Sequence, residues 1–176
     1  MEIERHEEAR LSVELEAEIA ALLALAFPDP PGFEGRSFYC QRHHVRLVMR
    51  DPEVVGHLAV CMRTIRMGDT MRRMAGFAEV STHPDRRGEG IAAALVAAGI
   101  EEARAMRADV VMLYGTAALY RGAGFVSVPN PIRSVDLGGV RTNTIKQAAS
   151  DSFMIYPLNN LEWDDRATID LVGGEF

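Results

Sequence analysis

The stretch that decides the fold is Val80-Ser81-Thr82-His83-Pro84-Asp85-Arg86-Arg87-Gly88-Glu89-Gly90-Ile91-Ala92-Ala93-Ala94-Leu95-Val96. A run typical of a β-strand meets a glycine-rich turn here, and the turn leads directly into an alanine-rich helix. Gly88 and Gly90 allow positive φ angles or a close approach of the backbone to a ligand. The first amide groups of such a helix have no acceptor within the helix and attract anions. The stretch therefore predicts a binding loop for a pyrophosphate.

The spacing of this loop differs from that of two other phosphate-binding loops. A Gly-x-Gly-x-x-Gly loop would need glycine at Ala93, and a Walker loop would need Gly-Lys before Ser or Thr. The pattern present is Arg87-x-x-Gly90-x-Ala92, which follows a strand and Pro84. It resembles the coenzyme A loop of the GNAT acyltransferase superfamily. The alternative is a strand-to-helix turn whose glycines only satisfy backbone geometry.

A second motif, Leu119-Tyr120-Arg121-Gly122-Ala123-Gly124-Phe125, follows the apolar strand predicted at Val110–Tyr114. It resembles the second GNAT signature, a helix that ends in Tyr-x-x-x-Gly-Phe. Gly124 is typical of a helix C-cap in the left-handed conformation. The resemblance implies that Tyr120 faces the coenzyme A sulfur, where a phenol can protonate a departing thiolate. The alternative is an ordinary half-buried aromatic residue.

The length of 176 residues, with 48% hydrophobic residues, predicts one domain over residues 1–176. We expect its acidic tail, residues 158–176, to form a wall of the acceptor site. The longest apolar helical runs are about half of the ~20 residues that cross a bilayer, so no membrane partner is expected. An acidic N-terminus argues against export. Cys40 and Cys61 lack metal-ligand spacing, so we expect free thiols, no metal site and a cytoplasmic location.

Charge is segregated along the chain. Residues 1–35 hold nine acidic residues and two arginines, residues 36–87 hold ten arginines and five acidic residues, and residues 151–176 hold six acidic residues and Arg166. The basic middle can complement the phosphates of a nucleotide-like cofactor, and acidic ends that converge would attract a cationic acceptor. Solvated polar faces are the alternative. The net charge of −6 and the missing aromatic-basic pattern disfavour nucleic acid.

The order of the predicted elements supports an α/β (α+β) fold. Ser12 caps a helix that ends near Phe27, and residues 29–36 and 128–152 are predicted as long connections, the second of them a loop or a hairpin. The other predicted elements are strands at His44–Met49, Val54–Ile65, Met71–Thr82, Val110–Tyr114 and Phe153–Pro157 and helices at Gly90–Arg107 and Ala117–Gly122. This order resembles the GNAT fold, a mixed central sheet with a splayed strand pair and flanking helices.

The resemblance to the GNAT superfamily implies acetyl-CoA as the co-substrate. The pantetheine chain would pair with the edge of the fourth strand, Phe77–Thr82, through the backbone of Val80, Ser81 and Thr82. The pyrophosphate would lie on the loop and the helix start, at Arg87, Gly88, Glu89, Gly90, Ile91, Ala92 and Ala93.

The chemistry implied is direct attack of an amine on the thioester, which needs three groups. Tyr120 is the candidate acid, a backbone amide near Ser81 is the candidate that polarises the carbonyl, and Glu79 is the candidate base, directly or through water. A strand carboxylate paired with a neighbouring arginine is the alternative for Glu79.

Two groups of GNAT enzymes have further similar segments. Val54–Val60 with His57, the Arg63–Arg73 hairpin and Ile169–Phe176 resemble aminoglycoside 2′-N-acetyltransferases, in which a tail carboxylate, here Asp170, contacts the sugar. That resemblance implies a strand-four glutamate that matches Glu79 only after a shift of one residue, which would turn the side chain to the other face. Phe33–Phe38 and the same tail resemble nodulation N-acyltransferases, which use fatty acyl groups.

Both groups modify amines on sugars, so we expect a small-molecule amine acceptor that is cationic. The candidate acceptor-binding residues are Asp29, Glu34, Trp163, Asp170 and Glu175. Three alternatives stay open: a noncatalytic coenzyme A-binding module, a protein or peptide N-acetyltransferase, and a longer-chain N-acyltransferase. The family resemblance also implies a possible homodimer.

Overall fold

Ten strands form one mixed sheet in the computed structural model, which describes residues 2–29 and 33–176. The strands are β1 (Ile3–Glu7), β2 (Val45–Arg50), β3 (Val54–Met67), β4 (Thr70–Thr82), β5 (Val110–Tyr114), β6 (Val126–Ser127), β7 (Ile132–Val135), β8 (Ile145–Ala148), β9 (Phe153–Pro157) and β10 (Ile169–Gly174). The α-helices are α1 (Val13–Ala26), α2 (Ile91–Ala105) and α3 (Ala118–Gly122). The α/β fold class expected from the sequence is confirmed.

The sheet is organised around the long β3–β4 hairpin. The strand order is β6-β9-β5-β4-β3-β10-β7-β8, and β2 pairs with both β1 and β3. The first half of β3 therefore pairs with β2, whereas its last residues pair with β10. Both β4–β5 and β7–β10 are parallel pairs, and the other pairs are antiparallel.

The strands β4 and β5 separate part-way along their length. They pair only from Met74 opposite Val110 to Phe77 opposite Leu113. Beyond Phe77, β4 continues to Thr82 while it remains paired with β3 on its other edge. The splayed strand pair expected from the sequence is present, and it leaves one edge of β4 open at Ala78–Thr82.

Helix α1 forms where the sequence predicts it. The Oγ atom of Ser12 accepts a hydrogen bond from the Leu15 amide at 3.2 Å, and Pro28 follows the C-cap residue Phe27. The buried stripe of the helix packs on Val48 and Val54. Since neighbouring strand residues face opposite ways, α1 and α2 cover opposite faces of β2: Val48 packs with α1, and Leu47 and Met49 pack with α2.

Helix α2 lies close to the sheet because two glycines permit it. A Cβ atom on Gly56 of β3 would lie 2.4 Å from Ile91 Cγ2, and one on Gly99 of α2 would lie 2.7 Å from Phe77 Cζ. Both approaches are too short for any larger residue. The contacts fix the N-terminus of α2 beside the open edge of β4.

The chain ends differ from the sequence-based expectation. Residues Ile3–Glu7 form β1 on the outer edge of β2, and Ile169–Gly174 form β10 inside the sheet, although neither strand was expected. The connection at residues 128–152 contains the β7–β8 hairpin. Of the predicted loop 29–36, residues 30–32 lie outside the described residues. None of the helices in residues 2–29 and 33–176 has the apolar length that a bilayer crossing requires.

Candidate active site

The loop between β4 and α2 has the geometry that its glycines predict. Gly88 and Gly90 have φ angles of 87° and 80°, and Gly90 is the N-cap of α2. The N-cap residue, a glycine, has no side chain to cap this helix, and the first turn of the helix holds no acidic residue. The first amides of α2 are therefore open to an external acceptor, and the helix dipole adds an attraction for negative charge.

A cavity of about 600 Å³ lies along this loop and the open edge of β4. We call it the β4–β5 cavity. Its lining combines the edge residues of β4, the loop, the start of α2, part of α3 and the end of α1, namely Val80, Ser81, Thr82, Arg86, Arg87, Gly88, Gly90, Ile91, Ala92, Ala93, Ala117, Leu119, Tyr120, Ala26 and Phe27. The structure thus brings together all of the residues predicted for the cofactor except Glu89. That carboxylate accepts a hydrogen bond from Arg86 Nε at 2.7 Å.

Tyr120 lines the β4–β5 cavity, and contacts with neighbouring residues fix its position. Its ring packs edge-on against Phe125, and its carbonyl oxygen accepts a hydrogen bond from the Phe125 amide at 2.9 Å. A Cβ atom on Gly115 would lie 2.5 Å from Tyr120 Cε2. The backbone can therefore lie this close to the Tyr120 ring only because residue 115 is glycine. Burial raises the pKa of the Tyr120 phenol. The phenol is therefore protonated at neutral pH and can act as a proton donor.

Glu79 lies in a β-bulge of β4. Ala78 pairs with Ala59 and Ser81 pairs with His57, so two β4 residues, Glu79 and Val80, lie opposite Leu58 alone. Glu79 itself has a φ angle of 56°. A bulge inserts one extra residue into a strand, so the alternation of side chains between the two faces of the sheet is shifted by one residue after it. The Glu79 side chain does not line the β4–β5 cavity.

The Glu79 carboxylate is surrounded by donors. Oε1 accepts a hydrogen bond from the Tyr39 amide at 2.9 Å and lies 3.1 Å from His43 Nε2, and Oε2 accepts one from Arg46 Nη1 at 3.0 Å. Burial favours the neutral acid, but the contacts with His43 and Arg46 outweigh burial and lower the pKa of Glu79. The carboxylate is ionised. Its ion pair with Arg46 corresponds to the alternative to a catalytic base that the sequence left open for Glu79.

A buried network continues from Arg46, which has no exposed surface. Arg46 donates to Glu8 at 2.6 Å, to the Ser37 carbonyl oxygen at 2.8 Å and to His57 Nε2 at 3.2 Å. His57 Nδ1 lies 3.1 Å from the Glu79 carbonyl oxygen. Since Arg46 can only donate, His57 accepts at Nε2 and donates at Nδ1. Burial and the charge of Arg46 lower the pKa of His57 to about 4.

A second cavity, of about 320 Å³, lies beside Glu79. We call it the tail cavity because the last two residues, Glu175 and Phe176, line it. Its other lining residues come from the segment before β2, from β3, β4 and β5, and from the β7–β8 hairpin: Tyr39, Cys40, Gln41, Arg42, His43, Arg63, Glu79, Tyr114, Ser134, Val135, Asp136, Leu137, Gly138 and Lys146. Glu175 Oε1 accepts a hydrogen bond from Ser134 Oγ at 3.3 Å.

Of the residues predicted to bind the acceptor, Glu175 alone lines the tail cavity. Asp29 is exposed, and Glu34 pairs with Arg36 at 2.9 Å. Trp163 Nε1 donates to Asn130 Oδ1 at 2.9 Å. Asp170 Oδ1 accepts from the Val172 amide at 2.8 Å within β10. These four residues do not meet around either cavity, so their predicted role finds no common site in the structure.

Three residues of the site, His43, Arg46 and Tyr114, were not predicted from the sequence. Arg46 was the most visible of the three, because it interrupts the apolar run Val45–Met49 of a strand that is otherwise buried. A charged residue in such a run indicates a buried ionic partner. The partner, Glu79, lies too far along the chain to be identified from spacing.

The family model described as Acetyltransferase (GNAT) domain matches residues 10–127. The chain belongs to the GNAT acetyltransferase family. The matched range contains the glycine loop, the β-bulge and Tyr120, so the membership and the enzyme class expected from these motifs are confirmed.

Solved structures of other GNAT proteins have the same fold. A GNAT family acetyltransferase from Brucella melitensis in complex with acetyl-CoA is 19% identical, with a TM-score of 0.63 over 96% of this chain and 94% of that one. YhbS from Escherichia coli in complex with CoA is 18% identical, with a TM-score of 0.62 over 97% and 88%. A GCN5-related N-acetyltransferase from Anabaena variabilis is 24% identical, with a TM-score of 0.59 over 74% of this GNAT chain and 33% of that one.

Two of these three proteins contain acetyl-CoA or CoA, in agreement with the co-substrate expected from the sequence. At these identities the likeness establishes the fold. No curated protein matches the sequence. The matches do not confirm the finer resemblance to aminoglycoside 2′-N-acetyltransferases or to nodulation N-acyltransferases.

Proposed function

We propose that this GNAT protein transfers the acetyl group of acetyl-CoA to a primary amine of a small cationic acceptor, an amino sugar or another small polyamine. The observation that carries the proposal is the position of the β-bulge between the two cavities. The Glu79 side chain lines the tail cavity, and the next residues, Val80–Thr82, line the β4–β5 cavity. An amine in the first cavity would approach a thioester in the second at this point of β4.

The β4–β5 cavity suits acetyl-CoA for two reasons. The open edge of β4 at Ala78–Thr82 offers backbone groups to the amides of a pantetheine chain, as in the addition of a strand to a sheet. The uncapped start of α2, with Arg87 beside it, offers amides and positive charge to the pyrophosphate. Cys40 and Cys61 are free thiols, which fits the reducing cytoplasm, where we place the reaction.

The reaction needs one bond to form and one to break. The lone pair of the neutral amine attacks the thioester carbonyl carbon, and a β4 amide near Ser81 stabilises the oxygen that becomes negative. The C–S bond then breaks, and the thiolate takes the phenol proton of Tyr120. The nitrogen then loses one proton through water to the Tyr120 phenolate, which restores the phenol and leaves a neutral amide. The raised pKa of Tyr120 supports its role as the donor, because a buried phenol stays protonated until the thiolate forms.

The tail cavity suits a small cationic acceptor. Its volume of about 320 Å³ is near the lower end of ligand pockets, which favours a compact molecule over a folded protein segment. Glu175 contributes a carboxylate whose hydrogen-bond partner is a neutral hydroxyl group. The Phe176 ring packs on Tyr114, with centroids 5.8 Å apart, and gives the cavity an apolar wall. Arg63 already lies over the Phe176 ring, 5.8 Å from its centroid, so the carboxylate of Glu175 is the group that favours an ammonium group.

The test is release of the coenzyme A thiol from acetyl-CoA with a panel of aminoglycosides, simple polyamines and peptides. We expect turnover with the small polyamines and a loss of about 100-fold in kcat for Tyr120→Phe. Tyr156→Phe is the matched control, because Tyr156 packs on the same Phe125 at 5.5 Å. Turnover with peptides alone would support a peptide N-acetyltransferase. Tight binding of coenzyme A without any turnover would contradict the proposal and, after longer acyl donors have failed, support a noncatalytic module.

A further inference from the structure

His43 is a buried imidazole in the tail cavity. It lies just before β2, and its side chain is 4% exposed. Nε2 is 3.1 Å from Glu79 Oε1 but lacks the alignment of a hydrogen bond, and within residues 2–29 and 33–176 neither ring nitrogen has a hydrogen-bond partner. A buried polar atom without a hydrogen bond costs stability unless a ligand or a water satisfies it, so the ring nitrogens of His43 are available to a molecule in the tail cavity.

Glu79 is poorly suited to take a proton from an ammonium group. Its carboxylate already accepts hydrogen bonds from Arg46 and from the Tyr39 amide. Arg46 stays charged whatever the state of His43, so a proton on Oε2 would disrupt a buried ion pair of 3.0 Å and would be bound weakly. General bases work best when their affinity for protons is matched to the pH of the reaction.

His57 is excluded for a different reason. Both of its ring nitrogens are engaged, one with Arg46 and one with the Glu79 carbonyl oxygen. It does not line either of the two cavities. Among the histidines, His43 is therefore the one that lines the tail cavity and has a ring nitrogen to offer.

We propose that His43 is the general base of the reaction and that Glu79 is its positioning residue. This inference rests on the proposed function. The acceptor ammonium gives one proton to an unprotonated ring nitrogen of His43, directly or through one water, and becomes the neutral amine. The imidazolium ion that forms lies beside the Glu79 carboxylate, which stabilises it. One N–H bond of the ammonium group breaks, an N–H bond on His43 forms, and this proton returns to solvent after the acetylated product leaves.

The charge around His43 is mixed. The groups around it come from the N-terminal segment, the segment before β2, strands β2 to β5, the β7–β8 hairpin and the tail. They are Glu8, Tyr39, Cys40, Arg42, Arg46, His57, Arg63, Glu79, Tyr114, Asp136, Lys146 and Glu175. Arg46 is already neutralised by Glu8 and Glu79, both of them within 3.0 Å. Glu79 is the acidic group closest to the His43 ring. Removal of its charge should therefore have the largest effect on the stability of the imidazolium ion.

The test is the pH dependence of kcat/KM for an amine that the wild-type protein acetylates. Wild type should reach a plateau well below the pKa of the amine, because His43 takes the proton from the bound ammonium group. His43→Gln should lose about 100-fold at pH 7 and should rise with unit slope up to the pKa of the amine, because only the free amine then reacts. Its KM for acetyl-CoA should be unchanged.

His44→Gln is the matched control, because His44 is the neighbouring residue and is exposed. It should keep the wild-type profile. His43→Asn is measured beside His43→Gln, and the unfolding midpoint and coenzyme A affinity of each variant are checked first. Glu79→Gln leaves His43 in place. Its rising limb should move to lower pH with the plateau retained, because the imidazolium ion loses the adjacent negative charge.

The outcomes separate this inference from the proposed function. If wild type acetylates no amine, the proposed function fails. If wild type is active and His43→Gln keeps both its plateau and its rate at pH 7 within threefold, the base is another group and this inference is wrong. If Glu79→Gln abolishes the plateau while His43→Gln keeps it, Glu79 is the base.

Discussion

The Nη1 atom of Arg46 lies 3.0 Å from Oε2 of Glu79, in a part of the molecule where the arginine has no exposed surface. The same guanidinium is held by Glu8 from the segment after β1. Through His57 it also reaches the backbone of the β-bulge. The bulge that separates the two cavities is therefore fixed by charges from three distant parts of the chain.

Removal of Arg46 should destabilise the protein strongly. Arg46→Met leaves two carboxylates without their buried cation, and the loss of one partner of a buried ion pair costs about 3–5 kcal/mol. Arg50→Met is the matched control on the same strand, because Arg50 pairs with Glu4 at 3.4 Å and with Glu18 but is partly exposed. An exposed pair contributes about 0–1 kcal/mol. Urea unfolding of both variants measures the difference, and equal losses would contradict the assigned burial.

His57 should make the free energy of unfolding depend on pH at values above those at which carboxyl groups titrate. Its pKa is lowered from 6.5 to about 4 in the folded protein, so the unfolded chain binds more protons between these values. The contribution is complete above pH 6.5 and is lost as the pH falls toward 4. We expect the free energy of unfolding to fall by about 2 kcal/mol between pH 7 and 5. His57→Asn should flatten this slope, and an unchanged slope would show that folding does not lower the pKa of His57.

Gly90 should be needed for cofactor affinity more than for folding. Its φ angle of 80° is unfavourable for alanine, although a Cβ atom there would meet no atom of the described residues within 4 Å. Gly90→Ala should therefore strain the N-cap of α2, at a cost of about 1–2 kcal/mol, and raise the KM for acetyl-CoA about tenfold.

Gly139→Ala separates strain from binding. Gly139 also has a positive φ angle, 67°, and open space around it, but it lies in the β7–β8 turn. The two variants should lose similar stability in thermal unfolding, and Gly139→Ala should keep the KM for acetyl-CoA. If both variants raised this KM equally, the loop would have no specific role in binding the cofactor.

Local signals predicted much of this fold. The Ser12 cap, the strand at Val110–Tyr114 and the positive φ angles of Gly88 and Gly90 all follow from residues close together in sequence. The strand β1 could not be found in this way. Its sequence, Ile-Glu-Arg-His-Glu, is mostly charged, and it is a strand because β2 offers it a free edge.

The site was less predictable than the fold because its residues meet only through the tertiary structure. Glu79 has a positive φ angle where no glycine marks a bulge. The Glu79 carboxylate contacts His43 and Arg46. These two residues precede β3 in the sequence, whereas Glu79 follows it. Similarly, Ile169 and Leu171 are fully buried in β10, a strand that pairs with residues far away in sequence. No rule of spacing connects these partners.

Glu175 should control the affinity for the acceptor. Glu175→Gln removes the negative charge and keeps an oxygen for Ser134, so folding should be little affected. The loss of one charge-assisted hydrogen bond corresponds to about 1.5–3 kcal/mol, which is about a 10- to 100-fold rise in the KM for a polyamine. The KM for acetyl-CoA should stay the same.

Two further carboxylates make this measurement specific. Glu162 is an exposed tail residue outside both cavities, and Glu162→Gln should leave the KM for the polyamine unchanged. Asp170 is the tail carboxylate that the sequence favours, but its contacts are with the Val172 amide and Arg133. We therefore expect Asp170→Asn to raise the KM less than Glu175→Gln does. A larger effect at Asp170 would move the acceptor out of the tail cavity and toward β10.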